Sequence, residues 1–120
     1  MSKARARGTR GENYFLSRFV LDIWPLADRA PLKGINDGGD YVGVPLVVEA
    51  KDQASPRFLL WARQARSKAV RRGTPWILLY KGDARTGDGC PVMMVDADFG
   101  KELIYLWHKE LHQLNTQVDL

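Results

Sequence analysis

Asp40-Tyr41-Val42-Gly43-Val44-Pro45-Leu46-Val47-Val48-Glu49-Ala50-Lys51 sets an acid, a tight turn, a short apolar run and then Glu-x-Lys in direct succession. Leu46 to Val48 reads as a buried strand. Because side chains alternate faces along a strand, Val47, Glu49 and Lys51 share one side and Leu46, Val48 and Ala50 the other. Gly43, Val44 and Pro45 read as a turn that returns residues near 40 antiparallel beside residues near 49, so the Asp40 carboxylate is expected close to that of Glu49. Two acids and a lysine converging in this way offer hard oxygen ligands for a divalent cation and an ammonium to orient or activate water at a phosphodiester. The plainer reading is a solvated face on a half-exposed sheet, with Asp40 a turn residue after Gly38-Gly39. The apolar Val-Pro-Leu-Val-Val run favours the site, since a sheet end covered by helices does not tolerate both charges without a metal or mutual pairing.

The elements that must position these residues follow from periodicity and turn chemistry. From about Gly11 to Trp24, Phe15, Leu16, Phe19, Val20 and Ile23 form one apolar face of a helix that Pro25 closes. Glu12 lies on that face, so its carboxylate is expected to point inward at the sheet. Thr9-Arg10-Gly11-Glu12 also matches a capping box, in which Glu12 serves the helix start; both roles stay open. An extended stretch runs from about Leu26 to Ile35, and the glycines of Asn36-Asp37-Gly38-Gly39-Asp40 permit a sharp path into the acid-bearing strand. Asp37 is either a further ligand or a turn former. Ser55 is expected to cap a helix with Pro56 at its first position, with Phe58, Ala62, Ala65, Ala69 and Val70 buried and Gly73 at its end. Gln64 sits beside that face among arginines, as a surface residue or as part of a site wall. Trp76 to Tyr80 reads as an apolar strand, Gly82-Asp83 to Gly89 as a hairpin loop, Val92 to Val95 as the returning strand, and Asp98 as the cap of a last helix carrying Leu103, Leu106, Trp107, Leu111 and Leu114. The order α-β-β-β-α-β-β-α predicts an α/β domain, a mixed central β-sheet flanked by helices, and not a Rossmann array.

A chain of 120 residues accommodates one domain over 1–120, with a basic arm at about 1–8 and a tail at about 115–120 expected to be flexible. The net charge of +4 favours an anionic partner. Its distribution says more than its size: Lys3, Arg5, Arg7 and Arg10 crowd the start, and Arg57, Arg63, Arg66, Lys68, Arg71 and Arg72 crowd one later segment, with Lys33 and Lys81 as further cations. Such clusters suit nucleic-acid phosphates, or form a solvated face. Cys90 is the only cysteine, so neither an intramolecular disulfide nor a cysteine-based zinc site is available. No apolar run is long enough for a membrane span, and no apolar core follows the basic N-terminus, so a cytoplasmic protein is expected. His108 and His112 stand one helical turn apart, but Lys109 and Leu111 occupy the places where either zinc-protease motif needs its glutamate. Asp83 and Asp88 lack the oxygen spacing of a calcium loop.

Taken in order, Glu12 on the first helix, Gly39-Asp40, Glu49-Ala50-Lys51 and a following helix with Gln64 resemble the PD-(D/E)xK nuclease superfamily, and within it the small Holliday junction resolvase-like endonucleases of phages and archaea. The resemblance covers roughly the first two thirds of the chain. It implies a restriction-endonuclease-like fold, Asp40 and Glu49 as metal ligands with the Ala50 carbonyl nearby, Lys51 as the catalytic lysine, Glu12 as the first-helix acid and Gln64 as a helix residue lining the site. Gly39 departs from the pattern, standing where the name-giving proline would be. The implied activity is Mg²⁺-dependent hydrolysis of DNA, with Mn²⁺ as a substitute metal and four-way or branched DNA as substrate, in recombination and repair. A restriction- or repair-type nuclease and a non-catalytic DNA-binding module are the alternatives. A phage-encoded chain would act in the host cytoplasm. Cutting two strands needs two sites, so a homodimer is expected, with an exposed Trp61 or the aromatic last helix supplying the apolar patch. Neither a membrane nor a nucleotide cofactor is expected as a partner.

Overall fold

The strand Trp76–Tyr80 is buried at all five positions, which requires cover on both of its faces. The computed structural model describes residues 3–31, 38–82 and 91–118, with side chains within 8–31, 38–82 and 91–114. Lys33, Asp37, Asp83, Asp88, Cys90 and most of the expected hairpin loop lie outside the described residues, as do the side chains of Lys3, Arg5 and Arg7.

In chain order the elements are α1 (Lys3–Phe15), a π-helical turn (Leu16–Val20), α2 (Leu21–Ile23), β1 (Asp28–Arg29), β2 (Tyr41–Val42), β3 (Val47–Lys51), α3 (Phe58–Arg72), β4 (Trp76–Tyr80), β5 (Val92–Val95) and α4 (Ala97–Val118). This is the expected mixed α/β order. β4 is the middle strand of a three-stranded sheet, parallel to β3 from Val47↔Trp76 to Lys51↔Tyr80 and antiparallel to β5 from Ile77↔Val95 to Tyr80↔Val92. β1 and β2 pair separately, with Arg29 opposite Tyr41.

Strand alternation divides the interior into two cores. Val48, Ala50, Ile77 and Leu79 face Phe15, Val20, Tyr41 and Val44, while Val47, Leu78 and Tyr80 face Trp61, Ala65 and Ala69 of α3. Each buried aliphatic side chain such as Leu78 is worth roughly 1.5–3 kcal/mol relative to exposure. Trp61, expected at the surface, is only 3% exposed. It stands edge-on to Phe58 and tilted against Tyr80, because its helix face is the one laid on the sheet. Val70, expected inside, is 72% exposed on the opposite face.

Helix boundaries depart from the sequence reading at their starts. α1 begins at Lys3, so Thr9 and Glu12 lie inside it, where backbone amides already have helical partners and a capping box has nothing to cap. The π-helical turn closes with the Leu21 amide on the Leu16 carbonyl. It sets Phe15 and Val20, five residues apart, on one buried side; an unbroken α-helix would separate them. α3 starts at Phe58 after Arg57, without a side-chain cap, instead of at Ser55-Pro56. Its end is as expected: Gly73 takes φ +73°, and its amide bonds the Ala69 carbonyl at 2.8 Å. At α4 the cap is Asp96, not Asp98, since the Asp96 Oδ1 accepts the Asp98 and Phe99 amides at 2.9 and 3.4 Å. No helix among the described residues is long and apolar enough to cross a membrane.

α1 lies hard against the end of β3, and a Cβ on Gly11 would sit 2.8 Å from the Cβ of Asp52. Gly11→Ala should therefore destabilise the fold by about 1–3 kcal/mol, although alanine is the better helix former by about 1 kcal/mol. Urea unfolding measures the change, and unchanged or raised stability would show that α1 is not held at this distance.

Candidate functional site

Asp40 is 3% exposed and Glu49 2%, the two buried polar residues of the described core. A buried carboxylate requires hydrogen bonds or a counter-charge, and each finds a different solution. The Asp40 amide donates to the Val48 carbonyl at 2.9 Å, and its Oδ2 accepts the Ala50 amide at 2.7 Å. The segment at 40 thus lies beside β3 as the turn chemistry predicted. Gly39 makes the approach possible: its φ is +120°, and a Cβ there would come within 3.2 Å of both the Val48 amide nitrogen and carbonyl oxygen. Proline holds φ near −65° and cannot take this conformation. The departure from the nuclease pattern at this position is therefore built into the backbone.

Glu49 and Lys51 share the α3 face of β3, as alternation requires. The Glu49 Oε1 is ion-paired with Lys68 Nζ, the two side chains being 3% and 18% exposed. The Lys51 ammonium lies 5.7 Å from the centre of the Trp61 ring. Glu12 points inward as its place on the helix predicted, its side chain 17% exposed, and its Oε2 meets Nε and Nη2 of Arg29, each at 3.0 Å. The Tyr41 hydroxyl donates to the Glu12 carbonyl at 2.6 Å and fastens α1 to β2. Burial first, then the charge of Glu12, push the Tyr41 phenol well above the usual tyrosine range, so it remains a donor throughout the physiological pH range.

These elements border a cleft of about 540 Å³ lined by Glu12, Asp40, Ala50, Lys51, Asp52, Ser55 and Arg57, with Gly8, Gln53 and Ala54. Glu12, Asp40, Ala50 and Lys51 are thus brought together. Glu49 is not among the described lining residues, because its carboxylate is taken up by Lys68. Gln64 is exposed on α3, one turn before Lys68, and is not among them either. Among the described residues, no three of His, Cys, Asp or Glu form a group that could hold a metal ion. Mg²⁺ makes a smaller demand, since one or two carboxylates plus water suffice. Glu12, Asp40 and Asp52 are the acidic residues of the cleft lining.

The basic helix divides into two sets. Arg57, Arg63, Arg66 and Arg71 are exposed, as is Arg10 on α1. Lys68 is partly buried, and Arg72, although exposed, is engaged by backbone carbonyls. Arg72 donates to the Gly38 carbonyl at 3.1 Å, the Leu46 carbonyl at 2.8 Å and the Val44 carbonyl, clamping the turn before β3. Lys81 lies 4.0 Å from Asp52 and 4.8 Å from the centre of the Tyr14 ring, at the edge of the same region. Arg29, Tyr41 and Asp52 were missed by the sequence reading. Asp52 had a signal, being next to Lys51 at the strand end; Arg29 had none, since its strand of two residues exists only through pairing with β2. His108 and His112 are exposed with stacked rings 6.4 Å apart. No family model, curated protein or solved structure matches this chain.

The Glu49–Lys68 pair yields a direct test. Lys68→Met strands a carboxylate in the core and should cost roughly 3–5 kcal/mol, most of it recovered when Glu49→Gln is added. Thermal or urea unfolding of the four proteins of this cycle measures the coupling. Strictly additive losses would mean that the two side chains do not depend on each other.

Proposed function

We propose that the protein is a metal-dependent DNA endonuclease of the PD-(D/E)xK type, with a restriction-endonuclease-like fold and selectivity for branched or four-way DNA. The observation that carries this reading is the cleft that Glu12, Asp40, Ala50 and Lys51 line together, with Asp40 fixed by the Ala50 amide. Mg²⁺ would be held by Asp40 with the Ala50 carbonyl, assisted by Glu12, and by Glu49 once Lys68 gives way. Bound there, it would supply Lewis-acid stabilisation of the phosphoryl oxygens and the leaving 3′ oxygen. Lys51 donates to the attacking water and orients it in line with the phosphorus. Arg29 holds the Glu12 carboxylate in position, and the Asp40 bond to β3 keeps that carboxylate from swinging out of the cleft.

In this reading selectivity rests on DNA shape and phosphate contacts, for which the domain offers exposed cations. Exposed Arg10, Arg57, Arg63, Arg66 and Arg71 supply the phosphate contacts in this reading, with Lys3, Arg5, Arg7, Lys33 and Lys81 extending the path. A twofold homodimer would present two sites to two strands.

A non-catalytic DNA-binding module is the second reading, favoured by one observation: Glu12 and Glu49 are each satisfied by a cation, Arg29 and Lys68. In that case the acids are structural. Cleavage of supercoiled, linear and four-way DNA with Mg²⁺ or Mn²⁺ separates the two. Asp40→Asn should lower the rate by a factor on the order of 10² or more while DNA affinity and folding stay nearly intact, because a metal ligand acts on transition-state charge. Absence of metal-dependent cleavage by the wild type, or full activity of the folded variant, overturns the nuclease assignment.

Replacing Arg63, Arg66 and Arg71 together with neutral residues should weaken binding to every DNA shape, each lost phosphate contact lowering the log-log salt slope by about 0.9. Preference for junctions should survive. A salt slope equal to the wild type would make this face ordinary solvated surface and move the phosphate path to the N-terminal segment.

A further inference from the structure

A second cavity, of about 420 Å³, lies between the C-terminal half of α3, the start of β4 and the first turns of α4. It shares no lining residue with the cleft of the candidate site. Ala69, Val70, Pro75 and Phe99 give it an apolar wall. Asp96, Asp98 and Glu102 add three acids to the same lining, in a chain whose net charge is +4. Asp96 is engaged in the cap of α4. Asp98 and Glu102 belong to none of the described ion pairs, which are Arg29–Glu12, Lys68–Glu49 and Lys81–Asp52. Gly73 brings the C-terminal end of α3, the negative pole of that helix, to the same place.

Trp76 supplies an independent observation. It also lines the cavity and is only 7% exposed, and its indole N–H is the one buried side-chain polar group without a hydrogen-bond partner among the described residues. An indole nitrogen donates and does not accept, so what it lacks is an acceptor. The lining therefore asks two things of an occupant: a cation for the free carboxylates and a carbonyl-type oxygen for the indole.

We propose that the cavity binds a basic residue of a peptide, its guanidinium or ammonium held by Asp98 and Glu102, its methylene stem against the apolar wall, and a backbone carbonyl accepting the Trp76 N–H. The volume is that of a small-ligand site. A free polyamine would supply the cation but no acceptor for the indole, and Arg66 on the lining repels a ligand that is cationic throughout. The inference is independent of the nuclease reading, and its readout involves neither DNA nor metal.

Titration of the full chain with N-acetyl-arginine methylamide, followed by proton–nitrogen correlation spectra, should give a saturable shift of the Trp76 indole resonance, assigned on the unaltered protein. Agmatine keeps the guanidinium without the carbonyl, and N-acetyl-citrulline methylamide keeps the carbonyl and the shape without the charge. Each should bind at least about 10-fold more weakly, the ratio that one hydrogen bond of ordinary strength sets. Asp98→Asn with Glu102→Gln, both at exposed positions, should weaken binding of the arginine probe by about the same factor or more, without loss of the fold. A Trp76 resonance unmoved by millimolar arginine probe overturns the proposal. So does equal binding of agmatine, the mark of a site for free organic cations, equal binding of the citrulline probe, or a folded double variant that binds as the wild type does.

Discussion

The parallel pairing of β3 with β4 is the constraint on which the rest of the molecule depends. Both strands are covered on both faces, so every side chain they carry must be apolar or separately satisfied. β4 carries Trp-Ile-Leu-Leu-Tyr, in which the Tyr80 hydroxyl donates to the Gln53 carbonyl and the Trp76 indole N–H is the one polar group left without a hydrogen bond among the described buried side chains. β3 carries Glu49 in the same environment, and the fold must supply a cation from α3 to keep it there. The crossover helix is therefore more than a cover for the sheet. Its inner side provides Trp61, Ala65 and Ala69 for packing, Lys68 for the buried charge and Arg72 for the carbonyls of the turn that leads into β3.

Around that pair, polar bonds fix the geometry of the cleft. Apolar contact sets the distance between layers but leaves them free to slide, whereas the Asp40–Ala50, Tyr41–Glu12 and Arg29–Glu12 bonds each join parts of the chain that are remote in sequence. Buried hydrogen bonds contribute modestly to net stability and cost more when broken, so their main effect is to select one arrangement. Gly39 and Gly11 serve the same end from the backbone side. At both positions the chain passes so close to β3 or its continuation that a side chain would collide.

The distribution of charge follows from this arrangement. Lys68 and Arg72 are engaged by Glu49 and by backbone carbonyls, and Arg63, Arg66 and Arg71 lie exposed on the outer side of the helix. The long last helix stands apart from this arrangement: its described side chains from Lys101 to Leu114 are exposed, as are Val92 and Met93 of β5.

Much of this was legible in the sequence. Period-two alternation assigned Val47 and Glu49 to one face and Val48 and Ala50 to the other, the apolar run at 76–80 marked a strand, Gly73 marked a helix end, and the glycines before Asp40 marked a backbone turned sharply against a strand. The inward direction of Glu12 was likewise given by its place among Phe15 and Phe19. These features are local, set by side-chain period and by the φ angles that glycine permits. What the sequence left undecided was partnership. Lys68 and Arg72 read as members of a basic cluster, Trp61 as a surface aromatic, Thr9 and Ser55 as caps, and Arg29 as nothing in particular. Whether a cation faces phosphate or a buried carboxylate, and whether a serine or threonine meets an unpaired amide, depends on what a distant part of the chain brings within about 3 Å. Only the packing of α1, β2 and α3 around β3 determined that.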